Sequence, residues 1–260
     1  MITFVSFIVS SGWKGEKLKY LTLLSFITIV CLVVPPSSYS DEPLVTEITY
    51  PSFEDPGPFP GVIVLHTSGG WGSVDHVIPR FTEEGYAVYS PDFFTPFGLT
   101  PQTREQTFHK FRKPIEKGLS GVVRAMKQDL KIDNNNIFAV GYSNGGFWVC
   151  YLAGTGQINA GVSHFGVWLT NFDGSGLAAH PVEYFSKTSS PVLSLHATND
   201  RVQKYKWASE SWGKIKWRGA PLEHHTYSSG GHEWLKKLLG GPTDQDAQKR
   251  TFEFFKKHTK

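Results

Sequence analysis

Cysteine is scarce in this 260-residue chain, which contains two, Cys31 and Cys150. Cys31 lies in an N-terminal segment that we expect to be removed, so the mature chain would have no pair for an intramolecular disulfide. Excess charge is also missing, because the formal net charge is +3 and no basic stretch is interleaved with aromatic residues. These absences exclude a disulfide-stapled scaffold, and we expect no nucleic-acid partner.

A long hydrophobic run is missing as well. The mostly apolar stretch Tyr20–Val34 spans fifteen residues, is preceded by three lysines, and is followed by Pro35–Pro36 and the small residues at 37–40. This order is typical of a secretory signal, and the run is short for a membrane span. We therefore predict a signal peptide over residues 1–40, with an uncleaved N-terminal anchor as the alternative. The mature protein would be secreted or periplasmic, with no stable membrane insertion.

Strand and helix patterns alternate through residues 41–260, which we interpret as one domain. Continuous apolar runs such as Gly61–His66 and Pro191–His196 predict buried strands, and amphipathic stretches between them predict helices. Alternation of this kind indicates an α/β fold, with a mostly parallel, doubly wound sheet and helices on both faces. We also expect an edge strand over Leu44–Tyr50, a helix over Glu105–Leu130 broken near Pro114, and a turn at Asp133–Asn136.

One stretch, from Ile137 to Phe147, carries the pattern with the clearest chemical meaning. A β-branched apolar run leads into Gly141-Tyr142-Ser143-Asn144-Gly145, and an apolar segment with helical character follows at once. This is a G-x-S-x-G pattern in the strand–turn–helix setting that a nucleophilic serine requires. Gly141 and Gly145 would give room where strand and helix approach each other. Ser143 is the predicted nucleophile, and the alternative is a glycine-rich turn with an incidental serine.

A serine hydroxyl needs a base, usually histidine, that is oriented by a carboxylate. In this fold class the chain order should be serine, acid, histidine, and the chemistry lies at the carboxyl ends of the strands. Asp200 and His232 fit that order, each just after a predicted strand. His164 is the best rival to His232 among the ten histidines, and Asp92 and Asp173 are rivals to Asp200.

Acyl transfer also needs donors for the oxyanion that develops on the substrate carbonyl. One expected donor is the main-chain N–H of Asn144, the residue after the serine. The second should come from the loop His66-Thr67-Ser68-Gly69-Gly70, which follows the first central strand. We choose the N–H of Ser68 and keep Thr67 as the rival, with a tight glycine turn of no catalytic use as the alternative.

Four segments of the chain resemble the dienelactone hydrolase family of α/β-hydrolases, in a secreted form with a serine nucleophile. They are His66–Gly70, Gly141–Gly146, His196–Asp200 and Gly230–His232. The resemblance extends through nearly all of residues 45–258. It implies an α/β-hydrolase fold, a Ser143/Asp200/His232 triad, and no metal or organic cofactor.

The chain departs from this family at positions that concern the substrate. The namesake enzymes have cysteine in place of Ser143 and glutamate in place of Thr67. They also hold a substrate carboxylate with arginines, where this chain has Phe93-Phe94-Thr95 and Lys236. A dienelactone is therefore a doubtful substrate. Aromatic residues expected to line the cleft favour an uncharged, largely apolar ester; they are Trp71, Phe93, Phe94 and Trp234.

The sequence thus predicts a serine hydrolase that cleaves carboxylic esters of small to medium size through an acyl-enzyme. Its expected partner is a small-molecule ester. Two alternatives remain open at this point. One is a peptidase or thioesterase that uses the same triad, and the other is a binding protein that keeps the fold without turnover.

Overall fold

The computed structural model describes residues 44–51, 55–170, 179–232, 234 and 240–260. Within these ranges, seven strands form one sheet in the order β1-β3-β2-β4-β5-β6-β7. The strands are β1 (Thr46–Thr49), β2 (Phe59–Leu65), β3 (Ala87–Pro91), β4 (Ile132–Tyr142), β5 (Ala160–His164), β6 (Val192–Ala197) and β7 (Leu222–Tyr227). Only β1 is antiparallel to its neighbour. The predicted mostly parallel sheet is confirmed, and so is the predicted edge strand, which is β1.

Helices cover both faces of this sheet, as predicted. Strand β2 shows why helices are needed on both faces. Its residues Ile63 and Leu65 belong to one apolar core, and Val62 and Val64 belong to the other. Strands buried on both faces must be covered by helices on both faces. The α-helices whose bounds are described are α1 (Ile78–Glu83), α2 (Arg112–Gln128), α3 (Asn144–Gly154), α4 (Tyr205–Trp217) and α5 (Pro242–Lys257). Short 3₁₀ helices cover Trp71–Val77, Thr95–Phe97, Arg104–Thr107 and Pro181–Tyr184. Residues of α2, α3 and α4 fill the first core, and residues of α1 and α5 fill the second.

The break predicted near Pro114 in the helical stretch 105–130 is confirmed. A short 3₁₀ helix covers Arg104–Thr107, turn residues follow at 108–111, and α2 begins at Arg112 with this proline in its first turn. A proline is tolerated there, since the N–H that it lacks would have no partner inside the helix. The turn expected at 133–136 belongs instead to β4, where Asp133 pairs with Pro60 of β2. The pairing register then shifts between Pro60 and Gly61, so the polar residues of β4 are accommodated by an irregularity in the sheet.

The predicted signal peptide lies outside the described residues. Among the residues that are described, no helix combines the length and apolar character needed to cross a membrane.

Candidate active site

Ser143 lies at the sharp turn between β4 and α3, with φ 53° and ψ −109°. A residue with a side chain rarely adopts a positive φ, so the surrounding structure must hold this turn in place. The Ser143 N–H donates to the His164 carbonyl at 3.0 Å, and its own carbonyl accepts N–H groups from Gly146 and Val167. These three hydrogen bonds hold the strained backbone from β5, from the loop that follows β5 and from α3.

The glycines beside the serine are needed because main-chain atoms approach very closely. A Cβ atom at Gly141 would lie 2.3 Å from the Gly145 carbonyl oxygen. A Cβ atom at Gly145 would lie 2.3 Å from the Leu65 carbonyl oxygen at the end of β2. Neither obstacle is a flexible side chain, so neither could move aside. The predicted close approach of strand and helix is therefore confirmed at both positions.

Three of the predicted site residues form one continuous chain of hydrogen bonds. Ser143 Oγ lies 2.9 Å from His232 Nε2, and His232 Nδ1 lies 2.7 Å from Asp200 Oδ2. The other carboxylate oxygen, Oδ1, accepts the main-chain N–H groups of Val202 and Gln203, each at 2.8 Å. Both oxygens of this buried carboxylate are thus occupied, so the Asp200 side chain has one orientation.

The surroundings of Asp200 keep it ionised. Burial alone raises the pKa of this carboxyl, but the hydrogen bond and charge of His232 and the Gln203 N–H outweigh burial, and the pKa lies below its ordinary value. A carboxylate can only accept, so His232 Nδ1 carries the proton and donates it to Asp200. His232 Nε2 is then free to accept the proton of Ser143 Oγ. This is the tautomer that a general base requires.

A second histidine, His196, lies beneath this carboxylate. Its Nε2 is 3.6 Å from Asp200 Oδ2 but donates at 2.8 Å to the Gln203 carbonyl. Burial lowers the pKa of His196, so the ring is neutral. The hydrogen bond from His196 to Gln203 stabilises the turn that follows β6, and the neutral ring adds no charge beside Asp200.

The rival residues are engaged elsewhere. His164 is buried, its Nε2 lies 2.9 Å from Thr251 Oγ1 on α5, and burial lowers its pKa to about 3. Asp92 uses one carboxylate oxygen to accept the N–H groups of Phe94 and Thr95. The third rival, Asp173, lies outside the described residues.

The two expected oxyanion donors flank the serine. Asn144 is the first residue of α3, so its N–H has no partner inside the helix. The Asn144 side chain donates to Thr107 Oγ1 at 3.2 Å and Ser68 Oγ at 3.4 Å, and accepts from Trp148 Nε1. Of the two rival donors in the glycine loop, the Thr67 N–H is occupied, since it donates to Ser73 Oγ at 3.1 Å. The geometry therefore favours Ser68 over Thr67.

A cavity of about 380 Å³ opens over Ser143 and His232. Apolar and small polar residues form most of its wall, and Arg104 is the charged side chain among the described residues that line it. Besides the serine and histidine, its lining residues are Thr67, Ser68, Gly69, Ser73, Pro101, Arg104, Phe165 and Val202. A larger cavity, of about 660 Å³, lies along α1 and α5 and contains no predicted site residue.

The four aromatic residues expected to line the cleft are absent from the described wall of this cavity. Phe93, Phe94 and Trp234 are buried in the core, and Trp71 lies partly exposed with its Nε1 bonded to the Ser90 carbonyl. The placement of these side chains was therefore wrong. Loops at strand ends also fold back over the core, and chain position does not fix which way their side chains point.

Phe165 is one of the lining residues that were not predicted from the sequence, and it is the one that contacts the His232 ring. It follows β5 directly, has a positive φ of 37°, and packs its ring edge-to-face with His232 at a centroid distance of 5.1 Å. Its position at the carboxyl end of a strand was a usable signal. The positive φ, which aims the ring at the cavity, was not visible in the sequence.

Among the described residues, no cluster of three or more histidine, cysteine, aspartate or glutamate side chains lies close enough to hold a metal ion. A mostly parallel sheet with a strained serine between a central strand and a helix, and acid and histidine after later strands, defines the α/β-hydrolase class. The profile of the Dienelactone hydrolase family matches residues 49–259. The chain belongs to that family.

Solved structures support the same fold. One is a Klebsiella pneumoniae protein classed with the dienelactone hydrolases, at 19% identity and TM-score 0.65, covering 81% of this chain and 98% of that chain. Another is a thermophilic esterase from Thermogutta terrifontis with propionate bound, at 15% identity and TM-score 0.65, covering 82% of this chain and 88% of the other. At these identities the likeness concerns the fold alone.

Among curated proteins, the chain is similar to dipeptidyl-peptidase 5 of Porphyromonas gingivalis. The two are 25% identical over a match 181 positions long, and the match covers 59% of this chain. The match spans about a quarter of the peptidase, 26% of its length.

Proposed function

We propose that this protein is a serine hydrolase that cleaves carboxylic esters through Ser143, His232 and Asp200. The observation that carries the proposal is the chain of hydrogen bonds, 2.9 Å and 2.7 Å long, that connects the strained serine with the buried carboxylate. Membership in the Dienelactone hydrolase family supports hydrolysis as the chemistry.

In the proposed mechanism, His232 Nε2 takes the proton of Ser143 Oγ as this oxygen attacks the ester carbonyl carbon. The carbonyl oxygen becomes an oxyanion that accepts hydrogen bonds from the main-chain N–H groups of Asn144 and Ser68. The C–O bond to the leaving alcohol then breaks, and the imidazolium gives its proton to that oxygen. Asp200 stabilises the imidazolium, and water, activated by His232, cleaves the acyl-enzyme by the same steps.

The cavity supports an ester of small to medium size as the substrate. Its volume of about 380 Å³ lies toward the lower end of ordinary ligand sites. Phe165, Val202 and Pro101 give it apolar walls, which favour a largely uncharged acyl or alcohol group. The exposed Arg104 lies at the same site, so an anionic group is the alternative that a substrate series must include.

A peptidase is the second candidate, because it would use the same triad. The observation in its favour is the similarity to dipeptidyl-peptidase 5, although the match spans only 26% of that protein. An amide carbonyl is harder to cleave than an activated ester, but attack by the serine and protonation of the leaving group need the same residues.

The test compares wild type with Ser143→Ala on p-nitrophenyl esters of increasing acyl length and on dipeptide p-nitroanilides. Wild type should hydrolyse the esters beyond acetate, and Ser143→Ala should lower kcat by about 10⁴-fold or more. Ser194→Ala, which removes another buried serine hydroxyl, from β6, is the control and should keep activity within about tenfold.

Ester hydrolysis that survives in Ser143→Ala would overturn the proposal. Activity confined to acetate would contradict the substrate size. Faster cleavage of the anilides than of the matched esters would favour the peptidase.

We also propose that residues 1–40 are removed during secretion and that residues 41–260 form a single mature hydrolase domain. N-terminal sequencing of the protein exported by its native host should then begin at Asp41. A mature chain that retains Tyr20–Val34 would favour the membrane anchor instead.

A further inference from the structure

The loop His66–Gly70, here called the oxyanion loop, carries one peptide unit with a proposed catalytic role. That unit joins the Thr67 carbonyl to the Ser68 N–H. In a trans peptide the C=O and N–H groups point in opposite directions, so whatever holds the carbonyl also aims the N–H. The groups that bind the Thr67 carbonyl are therefore relevant to the oxyanion.

The imidazole of His66 binds this carbonyl. Its Nδ1 lies 2.7 Å from the Thr67 carbonyl oxygen, and the Gly70 N–H also donates there, at 3.2 Å. The other ring nitrogen, Nε2, accepts the main-chain N–H of Phe93 at 3.3 Å. Because Nε2 accepts, Nδ1 must carry the proton in the neutral ring. Both contacts thus require the same tautomer.

Packing prevents the His66 ring from turning. The ring of Phe93 stacks on it at a centroid distance of 3.7 Å with an angle of 8° between planes, and Phe94 packs edge-on at 4.9 Å. Asp92 Oδ1 lies 3.9 Å from His66 Nε2, beyond hydrogen-bond range, and is occupied by the N–H groups of Phe94 and Thr95. Burial lowers the pKa of His66 to about 4, so the imidazole is neutral near neutral pH.

The main chain of His66 contacts the start of α3, beside the other proposed oxyanion donor. Its carbonyl accepts the Gly145 N–H at 3.0 Å, within the first turn of α3. Gly145 directly follows Asn144, whose N–H is the other proposed donor. The side chain of His66 therefore fixes the Ser68 peptide, and its main chain fixes that peptide relative to the start of α3.

We propose that His66 is a positioning residue for ester hydrolysis, one that aims the Ser68 N–H at the oxyanion by binding the opposite, carbonyl side of the same peptide. The inference rests on the proposed function of Ser143. It assigns to a buried, neutral histidine a role distinct from that of the general base.

Two amide substitutions separate the contacts of His66. In His66→Asn, the amide nitrogen can take the place of Nδ1 and keep the hydrogen bond to the Thr67 carbonyl. In His66→Gln, the amide reaches the place of Nε2 and leaves that carbonyl without this donor. The pair is matched in chemistry, and circular dichroism would establish that both variants fold.

Steady-state hydrolysis of a p-nitrophenyl ester is the first readout. His66→Gln should lower kcat by about 10²- to 10³-fold, the usual loss when one oxyanion donor is misplaced, and His66→Asn should stay within about tenfold of wild type. Equal activity of the two variants, or greater activity of His66→Gln, would overturn the inference.

The second readout is the carbonyl stretching band of the acyl-enzyme, measured by infrared spectroscopy with a ¹³C-labelled, slowly hydrolysed acyl group. A hydrogen bond lowers this frequency, so the band should move to higher wavenumber in His66→Gln and remain near the wild-type position in His66→Asn. His224→Asn, at an exposed position of β7, serves as a histidine control and should leave the band unchanged. An unmoved band in His66→Gln would overturn the inference.

The two proposals fail in distinguishable ways. If Ser143 is not the nucleophile, wild type itself forms no acyl-enzyme and shows no band. If only the role of His66 is wrong, wild type shows the band, the band keeps its position in both amide variants, and the two variants have equal activity.

Discussion

Substitution of Asp200 by asparagine should reverse the proton position on His232. In the native site, Oδ1 accepts the N–H groups of Val202 and Gln203 at 2.8 Å, while Oδ2 faces His232 Nδ1 at 2.7 Å. In Asp200→Asn, the side-chain oxygen must stay with the two main-chain donors, so the NH₂ group faces Nδ1. Nδ1 then has to accept, and the imidazole proton moves to Nε2, which faces Ser143 Oγ. A protonated Nε2 cannot take the serine proton.

The expected loss in kcat is about 10⁴-fold, or about 5.4 kcal/mol of transition-state stabilisation. Steady-state hydrolysis of p-nitrophenyl acetate measures it, with urea denaturation to establish that the variant folds. Asp92→Asn is the matched control, because Asp92 also accepts two main-chain N–H groups but does not contact His232. The control should remain within about tenfold of wild type. An Asp200→Asn enzyme within about tenfold of wild type would refute the reasoning.

Two further predictions concern stability. Gly145→Ala should lower the free energy of unfolding, measured by urea titration, by about 1–3 kcal/mol, because the new Cβ would lie 2.3 Å from the Leu65 carbonyl oxygen. The control is Gly213→Ala, in open space on α4, which should be neutral or stabilising in the same titration. Equal free energies of unfolding for the two variants would contradict the packing argument. Because the folded pKa of Asp200 lies below the unfolded value of about 3.9, its stabilisation is present above that value and is lost as pH falls through the folded pKa. The unfolding free energy of wild type should therefore fall more between about pH 5 and pH 2 than that of Asp200→Asn, and parallel curves would contradict this.

The sequence was informative wherever the geometry depends on chain direction. Parallel strands bring their carboxyl ends to one edge of the sheet, so Ser143, Asp200 and His232 could be expected to meet once each was placed after a strand. The close approach at Gly141 and Gly145 followed from the turn itself. These inferences need only local pattern and strand order.

The direction of individual side chains could not be predicted in the same way. Phe93 and Phe165 both follow strands, yet Phe93 packs against His66 in the core while Phe165, at a positive φ, faces the cavity. Likewise, the run of residues at 133–136 has turn-forming composition, but it lies within β4, because Asp133 pairs with Pro60 before it and Ile137 pairs with Gly61 after it. Both outcomes are decided by tertiary contacts that no local pattern contains.

Treatment of the protein with a fluorophosphonate probe, followed by mass spectrometry of its tryptic peptides, tests the central claim most directly. The account predicts one adduct, on the peptide that contains Ser143, and no labelling of Ser143→Ala. An adduct on a different residue, or labelling that persists in Ser143→Ala, would contradict it.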